Sequence, residues 1–180
     1  MTQTPDSNLE ATTSETTIDE PMTIELENPA LPEMPLSSES EDEDSSSIES
    51  DTRSTSVVQA VVNLVNQERR KAGLSLLRIH SRLNNSAQAH SNDMARNNFM
   101  SHTGSDGSSM GVRMKRYGYN YRRAGENVAA GQSSPEDVMR SWMKSPGHRK
   151  NILNGNFRDI GVGYARGGRY GTYWTQNFGA

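Results

Sequence analysis

Gly125-Glu126-Asn127-Val128-Ala129-Ala130-Gly131 and, one helix later, Ser145-Pro146-Gly147-His148-Arg149-Lys150-Asn151-Ile152-Leu153 are the stretches on which the reading of this chain turns. The helix between them is well marked. Ser134 stands as N-cap, Pro135 as the first helical residue and Asp137 as the third position of a capping-box-like S-x-x-D pattern. Val138 and Trp142 share one face of it. Pro146-Gly147 stops it, since proline cannot continue the hydrogen-bond ladder, and His148 then emerges just beyond a helix end. Upstream, Arg122 to Ala130 reads as an extended segment carrying Glu126. Further upstream, Met100-Ser101-His102-Thr103 closes another helical stretch and leaves His102 in a loop. These segments are too far apart to meet through local geometry. A fold that gathers His102, Glu126 and His148 makes a cluster with the chemistry of a metal or acid–base site.

Working outward, Val58, Val61, Val62 and Val65 form an apolar stripe at helical spacing, in a helix beginning near Ser56. Arg69, Arg70 and Lys71 fall in its last turn, where cations favour the helix dipole, and Gly73 suits the C′ position. Leu74, Leu76 and Leu77 make an extended connection to a second helix over about Arg82 to Asn98. Leu83, Ala87, His90 and Met94 share a face there, and His90 reads as a packed histidine with one hydrogen bond rather than a ligand. Gly107-Ser108-Ser109-Met110-Gly111 matches the G-x-S-x-G nucleophile elbow. That motif needs a buried strand before it, and the residues here are polar and glycine-rich, so the match is chance. Val112, Met114, Lys115 and Arg116 suggest a short helix after it. Tyr117-Gly118-Tyr119-Asn120-Tyr121-Arg122-Arg123 interleaves aromatics and bases, and reads either as a half-buried strand with solvent-facing arginines or as a nucleic-acid patch. Asp159 to Ala165 and Gly171 to Phe178 form a β-hairpin across Arg166-Gly167-Gly168-Arg169, with Ile160, Val162 and Tyr164 alternating toward one buried face. Trp142 and Trp174 read as core; Asn127 and Arg149 read as residues that tie loops together. Helices on both sides of strands imply a layered α+β domain.

Charge divides the chain sharply. Residues 1–56 hold 15 acidic side chains against one basic residue, Arg53, and residues 57–180 hold 7 acidic against 18 basic. The overall net charge of −3 hides a segment near −14 and another near +11. The first segment is rich in Ser, Thr and Glu, and cannot bury enough apolar surface to offset its ordering entropy, so 1–56 is expected to be a disordered acidic extension. Residues 57–180 are long enough for one ordinary domain. With no cysteine, a disulfide scaffold and a thiolate metal site are both excluded. No stretch approaches the roughly 20 apolar residues of a membrane span. Met1-Thr2-Gln3-Thr4-Pro5-Asp6 lacks the basic start and apolar run of a signal peptide.

The motifs and their order resemble the CAP superfamily of cysteine-rich secretory, venom allergen and plant pathogenesis-related proteins, and within it the compact cysteine-free SCP-domain branch. The resemblance runs from about Val57 to Ala180. It rests on the two stretches quoted first, together with Asp159-Ile160-Gly161-Val162-Gly163 and Tyr173-Trp174-Thr175-Gln176-Asn177-Phe178-Gly179. It implies a three-layer α-β-α sandwich with a central antiparallel sheet, and a cleft lined by His102, Glu126 and His148. Ser145 stands where the family's second glutamate normally lies. An extracellular location is also what the resemblance implies.

Two neutral imidazoles, His102 and His148, can hold a divalent cation at Zn–N distances of about 2.0–2.1 Å, with Glu126 orienting an imidazole or accepting a proton from bound water. Two readings stand side by side: Zn2+ as an optional ligand, expected at micromolar or weaker affinity, and a metal-free hydrogen-bonded polar cluster around Glu126; no cofactor is obligatory. Three function classes follow. The first is a non-enzymatic module whose cleft takes a small apolar ligand such as a sterol or fatty acid. The second is a metal-dependent hydrolase using Glu126 with His102 and His148, against which the missing second acid and absent nucleophile count. The third is a basic surface that binds anionic polymers or membranes. The first is the principal reading, for a monomer with no specific nucleic-acid partner.

Overall fold

The computed structural model describes residues 44–180, with side chains from Ser56 onward; the expectation of disorder for the acidic extension falls largely outside the described residues. The elements are α1 (Asp44–Lys71), β1 (Arg78–Ile79), α2 (Ser81–Asn97), α3 (Met110–Arg116), β2 (Ala124–Ala130), α4 (Pro135–Lys144), α5 (Pro146–Ile152), β3 (Asp159–Gly167) and β4 (Gly171–Gly179). The sheet order is β1-β3-β4-β2. The β3–β4 hairpin and the β4–β2 pair are antiparallel, while the two-residue β1 runs parallel to β3 at the edge. α2 and α3 cover one face; α1, α4 and α5 cover the other. The α-β-α sandwich around a mainly antiparallel sheet is thus the fold. Among the described residues no helix is long and apolar enough to cross a membrane.

The thicker core lies between the sheet and α1, α4 and α5. Val58, Val61, Val62 and Val65 meet Val138, Trp142, Ile152, Ile160 and Trp174 there. The opposite face is packed differently. Ile160 and Val162 point to the α1 side, so Gly161 and Gly163 point at α2, and neither face of β3 is solvated. A β-carbon at Gly161 would sit 2.1 Å from the Leu83 backbone, and one at Gly163 would sit 2.3 Å from that of Ala87. The helix backbone lies directly on the strand, and Asn84 and Gln88 reach across to bond the Val162 and Tyr164 amides. The G-x-G alternation therefore records close helix–strand approach and not an exposed second face.

Several local readings hold in detail. Gly73, at φ +70, terminates α1: its amide donates to the Arg70 carbonyl and that of Leu74 to Arg69, the paired bonds of a Schellman stop. Ser134 caps α4 by accepting from the Asp137 amide at 3.1 Å. Ser109, the serine of the elbow-like pentapeptide, is the N-cap of α3. Trp142 and Trp174 are buried.

Three readings need correction. α1 starts at Asp44 rather than near Ser56. Arg69 lies in its last turn as expected, and is also fully buried, donating to the carbonyls of Ser75, Ile152 and Asn154 at 2.8–2.9 Å. Residues 117–123 form a turn and loop, since Gly118 takes φ +75 and Tyr119 turns inward to donate to Asp159 at 3.0 Å; the strand begins only at Ala124. Pro146-Gly147 both ends one helix and opens the next: Ser145, at ψ 120, breaks the ladder, and Pro146 takes the first position of α5, where its missing N–H costs nothing.

Candidate functional site

Alternation along β2 divides the Gly125–Gly131 stretch between the two layers. Val128 packs with Met94 of α2 and Ala129 with Trp142 of α4, so Glu126 points toward α2 and α3 while Asn127 points toward α5. Asn127 donates to the His148 carbonyl at 3.1 Å and to Gln176 at 3.0 Å. Asn151 donates to the Glu126 carbonyl at 3.2 Å and to the Asn127 side chain at 3.0 Å. These bonds fasten α5, and with it His148, to β2, so Asn127 ties segments together as expected. Arg149 does not share that work; its side chain is exposed on α5.

Glu126 is the electrostatic centre. Its side chain is 1% exposed. Arg113 of α3 donates to both carboxylate oxygens, at 3.0 and 2.7 Å, and also to the Ser108 carbonyl at 2.7 Å. His102 approaches Oε1 through Nδ1 at 3.0 Å. With its amide nitrogen turned toward Oε2, Asn177 donates at 3.0 Å and accepts from Ser86 and the Ala87 amide. Burial alone would raise the Glu126 carboxyl; the His102 hydrogen bond and the charge of Arg113 more than offset it and hold it below its ordinary range. It is a carboxylate with every acceptor direction in use.

An ionised carboxylate only accepts, so the His102 Nδ1 carries the proton. Neutral His102 therefore presents a bare Nε2, on a ring that is 24% exposed. The loop that carries it is tied down twice. His90, fully buried on α2, meets the Ser101 carbonyl through Nε2 at 2.8 Å, and Asp93 accepts from the Ser105 amide at 2.8 Å. His90 is thus the packed, singly bonded histidine the sequence suggested. Burial pushes it down, with the negative charge of Glu126 opposing.

His148 lies in the first turn of α5, buried, and its Nε2 has no protein hydrogen-bond partner. Burial first, and then the charge of His102, push it down to about 4. The two histidines are close enough to sense each other, and His148 is neutral at physiological pH. Ser145 sits at the α4–α5 junction and makes no side-chain cap to α5. Among the described residues no group of three or more His, Asp or Glu side chains is arranged to hold a metal. The site offers two imidazole nitrogens, one of them oriented by a carboxylate behind it, the arrangement that commonly fixes the tautomer of a metal-binding histidine.

Arg113 is the participant the sequence reading missed. Nothing in its spacing separates it from the other basic residues of the domain. Its only local signal is its place beside Met114 on a short helix whose buried positions include Gly111, Arg113 and Met114.

The family profile of the cysteine-rich secretory protein family matches residues 62–178. Among curated proteins, an uncharacterized protein of Bacillus subtilis, YkwD, is 49% identical over 118 residues, covering 66% of this chain and 45% of its own length. A second from B. subtilis, the uncharacterized membrane protein YlbC, is 33% identical over 124 residues, covering 69% and 34%. The chain thus spans less than half the length of these relatives. Among solved structures, an extracellular SCP-domain protein of Bacillus anthracis superposes with a TM-score of 0.64 at 35% identity, covering 70% of this chain and 41% of that one. An outer surface protein of Borrelia burgdorferi superposes at 0.62 with 21% identity, covering 67% and 90%, a likeness of fold. With sandwich, motifs and family profile in agreement over the same residues, the chain belongs to the cysteine-rich secretory protein (CAP) family.

Proposed function

We propose that this domain is a non-catalytic binding module that holds a divalent cation, Zn2+ or a similar ion, between His102 and His148 as an optional ligand. The observation that carries the reading is the occupation of Glu126. Arg113, His102 and Asn177 take both of its oxygens, so it orients His102 and is not free to act as a general base. A hydrolase would need that base, or a nucleophile beside one. Bare nitrogens on two imidazoles suit a borderline cation, and two ligands give weak binding. The test is calorimetric titration of Zn2+ into the wild type and into the His102→Gln/His148→Gln variant. Saturable one-to-one binding at micromolar or weaker affinity, lost in the variant, supports the reading. No binding in the folded wild type ends it.

The same proposal includes a small apolar ligand, a sterol or fatty acid, and an extracellular setting. Val112, exposed on α3 next to Arg113, supports the first, and the extracellular B. anthracis relative supports the second. Displacement of a fluorescent fatty acid should survive chelation and weaken in Val112→Ser; insensitivity to that substitution removes the apolar ligand from the exposed face of α3.

A further inference from the structure

Three of the large apolar side chains that the described residues leave exposed, Leu76, Ile79 and Tyr117, gather at one end of the sheet. Contacts define that end. Arg82 donates to the Gly118 carbonyl at 2.8 Å, and the His80 ring meets Tyr119 edge-on at 4.8 Å, joining the β1 segment to the turn after α3. The Arg78 amide bonds the Arg158 carbonyl, that of Arg158 bonds Gly179, and those of Arg122 and Arg123 bond Ala180. Strand register agrees, with Arg78 opposite Asp159, Asp159 opposite Gly179, and Gly179 opposite Ala124.

The same end carries Arg78, Arg82, Arg122, Arg123 and Arg158, all exposed. Among the described residues one acid opposes them at this end. Asp159 is largely buried, and its oxygens are taken by Arg78 and Tyr119. Arg70 and Lys71, in the last turn of α1, add charge at the flank, with Lys71 paired to Glu68.

The geometry points to a docking pole for an anionic lipid surface, with Leu76, Ile79 and Tyr117 entering the headgroup region and Arg78, Arg122 and Arg123 meeting the lipid phosphates. Charge complementarity alone would suit any polyanion. Exposed leucine, isoleucine and tyrosine among the arginines favour a bilayer, because a soluble polymer gains nothing from them while an interface buries them.

Co-sedimentation of the full chain with phosphatidylcholine vesicles, with and without a third of phosphatidylglycerol, tests the pole. Binding should require the anionic lipid and weaken as salt rises. The triple variant Arg78→Gln/Arg122→Gln/Arg123→Gln should lose about a hundredfold in partitioning, about fivefold per arginine. Removing three charges elsewhere, Arg96→Gln/Lys144→Gln/Arg166→Gln, should cost under a tenth of that loss. Leu76→Ser/Ile79→Ser, which keeps every charge, should weaken vesicle binding several-fold and leave binding to polyphosphate unchanged. Equal losses in the two triple variants would reduce the pole to diffuse net charge and overturn it. No loss in the serine variant would assign the surface to a soluble polyanion. Far-UV circular dichroism and melting temperature, unchanged across the variants, keep misfolding from mimicking a result.

Discussion

Replacing Arg113 with methionine keeps most of the side-chain volume and removes the charge that faces Glu126. At 2.7 Å, in an effective dielectric of about 20, the pair attracts by about 6 kcal/mol, and part of that offsets desolvation of both groups. In Arg113→Met the desolvated carboxylate keeps only His102 and Asn177 as donors, and the Ser108 carbonyl keeps only the Gly104 amide. Breaking such a pair from one side costs about 3–5 kcal/mol. In a domain of this size that is roughly 12–20 °C in melting temperature. Urea denaturation followed by circular dichroism measures it. Adding Glu126→Gln removes the stranded charge, so the double variant should recover at least about 2 kcal/mol relative to Arg113→Met. A loss under about 1 kcal/mol in Arg113→Met, or a double variant no more stable than the single, would refute a charge-paired Glu126.

Other outcomes follow from the same packing and charges. His148 is pushed from the usual 6.5 down to about 4, and His90 is pushed down as well, so the folded state binds fewer protons than the unfolded chain between those values. Their contribution to stability is therefore full above about pH 6.5 and is lost as pH falls below it, for His148 toward 4 and by at most about 3 kcal/mol. The urea midpoint, with chelator present, should drop between pH 7.5 and 4.5, less so in His148→Gln; an unchanged midpoint contradicts the burial of both rings. Gly163→Ala should cost more than about 3 kcal/mol, because the new methyl meets helix backbone at 2.3 Å and not a movable side chain; near-wild-type stability would mean α2 stands off the strand. Arg69→Met should cost about 3 kcal/mol by removing the guanidinium donors from the Ser75, Ile152 and Asn154 carbonyls, of which Asn154 keeps only a 3.4 Å bond from the Phe157 amide; a melting temperature within a degree or two of wild type would show that water replaces the guanidinium.

How much was legible in the sequence depended on whether the cause was local. Ser134, Pro135 and Gly73 act within a turn of their own position, and they stand where pattern reading put them. The Asp159–Phe178 hairpin was legible for the same reason. His102, Glu126 and His148 could be named, but Glu126 stayed open between orienting an imidazole and taking a proton. The hydrogen bond that fixes His102 and the orphaned nitrogen of His148 depend on which face of β2 each neighbour occupies. Arg113 and Arg69 were opaque because a buried arginine looks like a solvated one until its partners arrive from residues 126 and 152–154. The second helix after Ser145 was hidden by proline, which ends one helix and begins another with the same chemistry.

The central claim is that Glu126 orients His102 and does no acid–base chemistry. Nitrogen-edited NMR of the imidazole rings at pH 8 reads it directly. The account expects His102 with its proton on Nδ1 and a bare Nε2, and it expects added Zn2+ to shift the Nε2 signals of His102 and His148 while the His90 ring stays unmoved. A His102 protonated on Nε2, or Zn2+ that shifts neither ring, would contradict it.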